Sequence, residues 1–397
     1  MKAGPPVQPA VRHGRSARVV VIGGGIAGVS IAYELAATAS VVLLEQEPEL
    51  SYHTTGRSAA MYLQSYGNAV VRALTVASRV DYERIEADFD TAPLLREQPQ
   101  MWVAAEESAE QLARLLATDA PLRALTPEQA VQMCDVLRPG RLAGAALDTS
   151  AMEINVPALH QAYVRGLIAR GGEVRPSAAA VRITPRAHSW EVETPSSTIS
   201  ADAVVNAAGA WVDRVASVAG IDPIGIRPLR RTLFTSPIGG RAGSRAWPFV
   251  ADIGERFYFH AESDQVLVSP ADETPSEPCD ARPQEEDIAR AIDAVNEFTT
   301  LGLRSVRTAW AGLRSFVADR SPVLGSRPTD PGFNWSAGQG GYGIQMGPAL
   351  ARAGAALVLG EPLPADVVQL GVTAASVAPD RAALRPGALP WKGTPEP

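Results

Sequence analysis

"RVVVIGGGIAGVSIAYELA", residues 18–36, joins a run of β-branched residues to three glycines and then to apolar residues at helical spacing. A short run of valine and isoleucine that ends in glycine is typical of a buried parallel strand. The residues after Gly25 predict a helix, and "SVVLLEQE" (residues 40–47) predicts the next strand. The chain is therefore expected to begin with a strand–helix–strand unit.

The three glycines Gly23, Gly25 and Gly28 form a G-x-G-x-x-G pattern between that strand and that helix. Such glycines permit the tight turn, the approach of a pyrophosphate to the backbone, and close contact between helix and strand. Glu45 lies 22 residues after Gly23, where a carboxylate binds ribose hydroxyls and disfavours the 2′-phosphate of NADP. The pattern predicts a dinucleotide-binding unit; the alternative is a glycine-rich turn without a ligand.

Two further glycine turns favour FAD over NAD. "NAAGAW" (residues 206–211) ends a predicted strand, and "GQGGYGIQ" (residues 338–345) precedes the last predicted helix. FAD is the longer cofactor and has a larger ring system to hold, so it needs such additional contacts. A helix that begins near Gly343 would direct its positive end at the flavin pyrimidine, where negative charge accumulates on reduction. The alternative for the second turn is a plain helix-entry loop.

The composition is that of a globular enzyme, with 46% hydrophobic and 20% charged residues in 397. The net charge of -7 offers no basic surface for nucleic acid. Cys134 and Cys279 are far apart and predict neither a disulfide framework nor a zinc site, and no histidine cluster predicts any other metal. The only lysines are Lys2 and Lys392, so nearly all positive charge is arginine. No apolar run is long enough to span a membrane, and we expect a cytoplasmic protein.

Elements typical of a nucleotide-binding domain occur at the beginning, in the middle and at the end of the chain. Helical and antiparallel patterns occupy the gaps between them. We therefore expect an α/β fold with a discontinuous Rossmann-like FAD-binding domain and a substrate domain built on an antiparallel sheet plus helices. The predicted division is a leader (1–17), an FAD-binding domain (18–60, 145–225 and 305–375), a substrate domain (61–144 and 226–304) and a tail (376–397).

An arginine stands in the mostly apolar stretch "WAGLRSFVADRSPVLG" (residues 310–325). A buried guanidinium needs an anionic partner. For Arg314 that partner is either Asp319, as a local ion pair, or the carboxylate of a substrate. An arginine fork meets a planar carboxylate with two parallel hydrogen bonds, which would position the substrate for reaction.

Taken together, "VVVIGGGIAGVSIAYELA", "TTGRSAA", "NAAGAW", "WAGLRSFVADRSPVLG" and "GQGGYGIQ" resemble the FAD-dependent D-amino-acid oxidase superfamily, which includes glycine and sarcosine oxidases. The likeness runs in order from about residue 18 to residue 370. Within the superfamily it is greatest to bacterial D-arginine dehydrogenase. The resemblance implies FAD-dependent oxidation of D-amino acids by hydride transfer from Cα to the flavin. The imino acid product then hydrolyses to a 2-oxo acid and ammonia.

The resemblance also implies the residues of the site. Arg314 and Arg231 match arginines that hold the substrate, although Arg230 is an alternative to the latter. Tyr66 and Tyr258 match tyrosines that help to enclose the substrate, and the Gly341 backbone and Gln345 lie at the substrate and flavin edges in relatives. The motifs and the resemblance together predict cofactor contacts from Gly23, Gly25, Ile26, Ala27, Gly28, Glu45, Gln46, Gly56, Arg57, Ser58, Ala59, Ala180, Ala208, Gly209, Trp211, Gly340, Gly341, Tyr342, Gly343, Ile344 and Gln345.

Two departures from D-arginine dehydrogenase concern the substrate side chain. Gln100 stands where an acidic residue would hold a guanidinium, and Met61 stands where the pocket has a histidine. Phe249 and Ala251 are expected in the pocket walls. These residues favour neutral, apolar or aromatic D-amino acids over D-arginine. The alternative is that Gln100 is a surface residue of a strand.

The lysine count bears on the electron acceptor. Sarcosine-type oxidases place a lysine above the flavin to assist oxygen, and no lysine of the body is available here. Neither cysteine lies near residues 312–319, where such oxidases attach their flavin, so FAD is expected to be non-covalent. We expect electrons to pass to a quinone or another carrier rather than to O2, in a monomer or homodimer that binds no nucleic acid.

Two other functions remain open. One is the oxidation of secondary or N-methyl amino acids, and the other is a non-catalytic FAD-binding subunit of a complex. An RNA-modifying relative fits the acidic charge balance poorly. Among the histidines, His53 is expected near the pyrophosphate, and His160, His188 and His260 are expected at the surface or as caps.

Overall fold

A computed structural model of the chain describes residues 17–118, 120–239 and 246–385. The predicted leader lies outside these residues except for Ala17, as does the part of the predicted tail from residue 386 onward. Both lysines also lie outside them. Labels of strands and helices below follow the order of the chain.

A six-stranded sheet contains the strands that were predicted for the nucleotide-binding unit. In spatial order its strands are β20 (Val323–Ser326), β21 (Phe333–Ala337), β13 (Ala203–Asn206), β1 (Arg18–Ile22), β2 (Ser40–Leu44) and β9 (Glu173–Arg175). All neighbours pair in parallel except β20 and β21. The carboxyl ends of β1, β2, β13 and β21 therefore lie at one edge, where parallel sheets bind ligands.

Both faces of this sheet are covered, which explains the continuous apolar run of β1. Val19 and Val21 pack against α1 (Ile26–Leu35), α5 (Val156–Ala169) and α8 (Gly347–Leu359). Val20 and Ile22 pack on the opposite side against α6 (Val212–Val218) and a small antiparallel sheet. The strands of that small sheet are β10 (Arg182–Pro185), β11 (Trp190–Glu193) and β12 (Thr198–Ala201).

A nine-stranded sheet forms the second layer of the molecule. Its spatial order is β18 (Thr274–Pro275), β14 (Arg227–Pro237), β17 (Gln265–Ser269), β16 (Tyr258–Glu262), β15 (Phe249–Asp252), β5 (Gln100–Ala104), β7 (Gly144–Asp148) and β6 (Leu122–Leu125), with β19 (Thr308–Phe316) paired to β14. The pairing is antiparallel except between β5 and β15, which run parallel. The expected antiparallel sheet of the substrate domain therefore contains one parallel pair.

One face of the nine-stranded sheet is closed by an apolar core. Met101, Val250 and Phe259 point into it and meet Val295 and Phe298 of α7 (Glu285–Phe298). Because side chains alternate along a strand, the residues next to these point to the opposite face. That opposite face is turned towards the glycine turns of the six-stranded sheet.

The remaining elements include one long helix, α2 (Ala69–Phe89), which packs against α8, and several short elements. The short helices are α3 (Ala109–Leu116), α4 (Pro127–Met133), α9 (Ala365–Gln369) and α10 (Ala374–Val377). A second small sheet joins β3 (Met61–Tyr62), β8 (Met152–Ile154) and β4 (Leu95–Glu97). In residues 17–118, 120–239 and 246–385, no helix is both long and apolar enough to cross a membrane.

The predicted α/β fold class is confirmed, but two strands depart from the predicted division of the chain. β7 and β19 fall within segments assigned to the FAD-binding domain, yet both are strands of the nine-stranded sheet. The physical reason is long-range pairing: β19 is hydrogen-bonded along β14, and no local pattern in either strand specifies its partner. Apart from this correction, the domain boundaries remain a prediction.

Candidate active site

A cavity of about 330 Å³ lies between the carboxyl edge of the six-stranded sheet and the open face of the nine-stranded sheet. It extends from the first glycine turn to strands β5 and β15. Most of the residues predicted for the cofactor and the substrate line this single cavity. The predicted residues that do not line it are Gly28, Gly56 and Tyr342.

The first glycine turn leaves no room for side chains. Gly23 has φ +114°, and a Cβ there would lie 2.5 Å from the carbonyl oxygen of Ala207. A Cβ on Gly28 would lie 1.8 Å from the carbonyl oxygen of Gly23, so α1 packs directly on the turn. Gly28 thus acts through packing. The backbone N–H groups of Gly25 and Ala27 have no protein acceptor within the described residues. This turn and the helix dipole suit an anion such as a pyrophosphate.

Two side chains are hydrogen-bonded to the backbone of Gly24 in this first glycine turn. The Glu45 carboxylate accepts hydrogen bonds from the backbone N–H groups of Gly24 (2.6 Å) and Glu47 (2.9 Å), and Glu45 and the adjacent Gln46 both line the cavity. His160 is buried with Nε2 2.9 Å from the carbonyl oxygen of Gly24, and burial lowers the pKa of its imidazole. Of the two positions expected for His160, at the surface or as a cap, the surface position was therefore wrong.

Residues 51–60 connect the cofactor turn to the nine-stranded sheet. The hydroxyl of Thr55 accepts from the N–H of Ile26 at 3.0 Å. The Arg57 guanidinium donates to the carbonyl oxygens of Ala281 and Ala311 and to the Asp280 carboxylate. Arg57 was predicted to contact the cofactor, but these bonds occupy its donors with protein acceptors. Arg57 ties this segment to β19 and lines the cavity, as do Ser58 and Ala59.

Gly56 and Tyr342 pack within the protein. A Cβ on Gly56 would lie 2.4 Å from the carbonyl oxygen of Ser51. The Tyr342 ring is buried against the rings of Tyr66 and Phe316, with centroid distances of 5.0 and 6.0 Å. Both residues therefore shape loops that border the cavity.

The other predicted cofactor residues come from the ends of β1, β13 and β21 and from one neighbouring loop. Those that line the cavity are Gly23, Gly25, Ile26, Ala27, Ala180, Ala208, Gly209, Trp211, Gly340, Gly341, Gly343, Ile344 and Gln345. Helix α8 begins at Gly347, not near Gly343, because a turn at residues 343–346 precedes it. The Gln345 amide is occupied by the Leu63 backbone and the Thr75 hydroxyl. Gln345 therefore has a structural role at the wall of the cavity, where it links the loop before α8 to Leu63 and Thr75.

Arg314 is the cation of the cavity that lacks an anionic partner. Its guanidinium lies flat against Gly341, since a Cβ there would be 2.8 Å from Nη1 and 2.9 Å from Cζ. Nη1 is 3.5 Å from the Tyr66 hydroxyl. Within the described ranges no carboxylate comes within ion-pair distance of it. Burial lowers the pKa of Arg314, but the phenolic oxygens of Tyr66, Tyr258 and Tyr342 together raise it by a larger amount. The net pKa of Arg314 is therefore above its ordinary value.

Asp319 pairs elsewhere. Its carboxylate accepts from the guanidinium of Arg381 at 2.7 and 2.8 Å and from the backbone N–H of Ser321 at 3.0 Å. The ion pair fixes the loop after β19 against the segment that follows α10. A local Arg314–Asp319 pair is therefore excluded, and Asp319 braces the loop.

Arg231 also lines the cavity but is already engaged. Its Nε donates to the carbonyl oxygen of Asp272 at 2.8 Å, and its Nη2 is 3.5 Å from the Glu273 carboxylate. The Tyr258 ring centroid lies 6.0 Å from its guanidinium carbon. Arg230 pairs with Asp287 at 2.9 Å and does not line the cavity. Of the two adjacent arginines, Arg231 is thus the one that faces the site.

The predicted substrate pocket forms on the nine-stranded sheet. Gln100 is paired in register with Phe249, and Ala251 is paired with Trp102 and with Tyr258. All five residues line the cavity, as does Met61 from the second small sheet. Gln100 is only 1% exposed, so the alternative of a surface residue is wrong.

Several cavity residues were not predicted. Trp102 follows Gln100 by two residues, and the alternation of β5 could have identified it. Thr54 lines the cavity and exchanges hydrogen bonds with the backbone of Leu313. His53, which was expected near the pyrophosphate, lines the cavity beside Trp211, with ring centroids 4.5 Å apart. His260 is buried behind Phe249, contrary to the expected surface position. No group of three or more potential metal ligands occurs among the described residues.

Comparison with known proteins gives the family. The FAD dependent oxidoreductase (DAO) family matches residues 18–357. Mouse mitochondrial dimethylglycine dehydrogenase is 26% identical over 64% of this chain, but that match covers only 30% of the dehydrogenase, so the chain spans about a third of its length. Glycine oxidase of Pseudomonas putida is 24% identical, covering 88% of this chain and 96% of the oxidase.

Solved structures show the same fold. The L-proline dehydrogenase structure from P. horikoshii superposes with a TM-score of 0.78 at 19% identity, covering 92% of this chain and 97% of that one. The family match confirms FAD as the cofactor, and the glycine turns, the unpaired N–H groups and Glu45 form a cradle that fits it. The chain belongs to the DAO family of FAD-dependent oxidoreductases.

Proposed function

We propose that this protein oxidises the carbon–nitrogen bond of an α-amino acid whose carboxylate is held by Arg314. The observation that carries the proposal is a partly buried guanidinium between the glycine turns and the nine-stranded sheet, without an ion-pair partner among the described residues. An uncompensated buried cation is costly to a protein unless a ligand pairs with it. The relatives act on dimethylglycine and glycine, both of which carry a carboxylate next to the carbon that bears nitrogen.

The residues of the chain position the substrate. The Arg314 fork would hold the carboxylate with two hydrogen bonds, and the Tyr66 hydroxyl beside it would fix the guanidinium. Arg231 and Tyr258 would close the carboxylate end of the pocket. When bound, FAD supplies the two-electron acceptor for hydrogen from the substrate. A neutral amine needs no side-chain base, in accord with lysines only at residues 2 and 392.

The leading substrate class is the neutral D-amino acid, with a 2-oxo acid and ammonia as final products. The D configuration and the likeness to D-arginine dehydrogenase rest on the sequence resemblance alone. Gln100 in place of a carboxylate supports a preference against cationic side chains. The second candidate is oxidation of secondary or N-methyl amino acids, which the matches to dimethylglycine dehydrogenase and glycine oxidase favour.

The cofactor is proposed to be non-covalent. Cys134 is buried in the core behind the nine-stranded sheet, Cys279 is exposed, and neither lines the cavity. The absence of a body lysine supports transfer of electrons to a quinone or another carrier rather than to O2. A cytoplasmic location and a monomeric or homodimeric state stay predictions.

Anaerobic flavin reduction tests the proposal directly. The flavin-loaded protein is mixed with D- and L-amino acids, sarcosine, dimethylglycine and proline, and bleaching of the flavin absorbance is followed. Fastest reduction by a neutral D-amino acid supports the first candidate, and fastest reduction by an N-methyl or cyclic amino acid supports the second. A highest rate with D-arginine or D-lysine would contradict the preference for neutral side chains. Failure of every amine to bleach the flavin would indicate a non-catalytic subunit.

A further inference from the structure

The wall of the cavity formed by β5 carries two buried polar atoms without a hydrogen-bond partner. Among the residues that the structure describes, they are Oε1 of Gln100 and the indole Nε1 of Trp102. Side chains two residues apart on a strand point to the same face, and both of these residues line the cavity. One atom is an acceptor and the other is a donor.

Nearby side chains of the same types are satisfied. The amide nitrogen of Gln98 donates to the carbonyl oxygen of Trp247 at 3.0 Å, and the Trp247 indole donates to the Asp135 carboxylate at 2.9 Å. The amide nitrogen of Gln100 lies 3.5 Å from the carbonyl oxygen of Met101, which leaves Oε1 as the free end. Because an unpaired buried polar atom is unfavourable, the pair on β5 indicates a partner from outside the chain.

The two register partners of Gln100 add no charged group to the lining of the cavity, because Asp148 does not line it and Phe249 is apolar. Asp148, the register partner on β7, has its carboxylate oxygens bonded to the Ser65 hydroxyl and to the backbone N–H and hydroxyl of Ser150. Phe249, the register partner on β15, is apolar. A cationic group here would meet no free carboxylate from these neighbours, and an aliphatic group would leave Oε1 of Gln100 unpaired.

We infer that Gln100 and Trp102 recognise a carboxamide in the side chain of the substrate. The amide N–H would donate to Oε1 of Gln100, and the amide carbonyl would accept from Nε1 of Trp102. The inference rests on the proposed function, because it concerns the side chain of an amino acid whose carboxylate is held by Arg314. It narrows the neutral substrate class to polar side chains that carry both a donor and an acceptor.

Asparagine and leucine test the inference because their side chains have nearly the same shape. Rate constants for anaerobic flavin reduction are compared for both enantiomers of each. The expected result is a second-order rate constant for asparagine at least about tenfold above that for leucine, because only asparagine pairs with the buried atoms. Gln100→Leu should abolish this preference while retaining reduction by leucine, and Trp102→Phe should reduce it.

Gln98→Leu is the matched control, because Gln98 is a buried amide that does not line the cavity. It should leave the asparagine-to-leucine ratio within about twofold of the wild type. A readout independent of turnover uses carboxylates without an amine. Succinamate should perturb the flavin spectrum with a lower dissociation constant than 4-methylpentanoate, its near isostere.

The outcomes separate the inference from the proposed function. If amino acids reduce the flavin but leucine equals or exceeds asparagine, the carboxamide inference is wrong and the proposed function stands. The same holds if succinamate and 4-methylpentanoate bind equally, as they would if water satisfied both atoms. If no amino acid reduces the flavin while succinamate still binds more tightly, the pocket is correctly identified and the proposed oxidation is wrong.

Discussion

Replacement of Arg314 by methionine should remove substrate binding without harming the fold. The guanidinium has no carboxylate partner in the described part of the chain, and its flat contact with Gly341 leaves the fork available to a ligand. Each charge-assisted hydrogen bond contributes about 1.5–3 kcal/mol, so two lost bonds amount to about 3–6 kcal/mol. At about 1.4 kcal/mol per factor of ten, kcat/KM should fall roughly 10²–10⁴-fold.

The assay measures both kcat/KM, with the best substrate of the anaerobic panel, and the Tm of the substrate-free protein. Because Arg314→Met removes a partly buried cation that has no ion-pair partner among the described residues, Tm should be unchanged or raised. Arg314→Lys keeps the charge but loses the planar fork, so its kcat/KM should fall by about one to two orders of magnitude.

Arg381→Met is the matched control for this experiment. Arg381 is also partly buried, but its guanidinium is paired with Asp319 and does not line the cavity. This variant should lower Tm and leave kcat/KM within about threefold of the wild type. The assignment of Arg314 would be refuted by a loss in kcat/KM smaller than tenfold, or by a drop in Tm comparable to that of Arg381→Met.

Three further outcomes are expected. Gly341→Ala places a Cβ 2.8 Å from Nη1 of Arg314 and should displace the guanidinium. Stopped-flow flavin reduction should then show a loss of about tenfold or more in kcat/KM. An unaltered rate would contradict the contact between Gly341 and Arg314. Asp319→Ala leaves the guanidinium of Arg381 unpaired and should lower the free energy of unfolding in urea by about 3 kcal/mol, with no change in substrate affinity. Burial lowers the pKa of His160, so the folded state favours the neutral imidazole. The stability that His160 contributes is therefore lost as pH falls below the ordinary pKa of 6.5. This loss levels off once the pH is below the lowered pKa of the folded state. His160→Gln should therefore flatten the decline of Tm between about pH 7 and pH 5, and an unchanged pH profile would argue against the assignment.

The local patterns of the sequence were sufficient for the cofactor half of the molecule. The β-branched run, the three glycines and Glu45 predicted a βαβ unit, and the structure has β1, α1 and β2 there. Helix α7 is likewise encoded by a local pattern, because its apolar residues recur at helical spacing. These predictions succeeded because backbone conformation and close packing at a glycine turn depend on residues that are adjacent in the chain.

Predictions that depend on distant partners succeeded less well. Arg57 was expected at the cofactor and lines the cavity, but nothing in the sequence predicted that its donors bind Ala281, Ala311 and Asp280, more than 200 residues away in the chain. Hydrogen bonds of this kind form only when the nine-stranded sheet is assembled. No periodicity around Arg57 could indicate them.

By itself the sequence predicted a dinucleotide-binding unit, additional glycine turns that favour FAD, and an arginine within a mostly apolar stretch. Only the tertiary structure showed that Asp319 is not the partner of that arginine, because Asp319 pairs with Arg381 and no described carboxylate pairs with Arg314. It also placed two atoms without a hydrogen-bond partner, Oε1 of Gln100 and Nε1 of Trp102, on the same strand at one wall of the cavity. The physical reason is that pairing and burial are properties of three-dimensional neighbours, which strand register and loop packing bring together from separate parts of the chain.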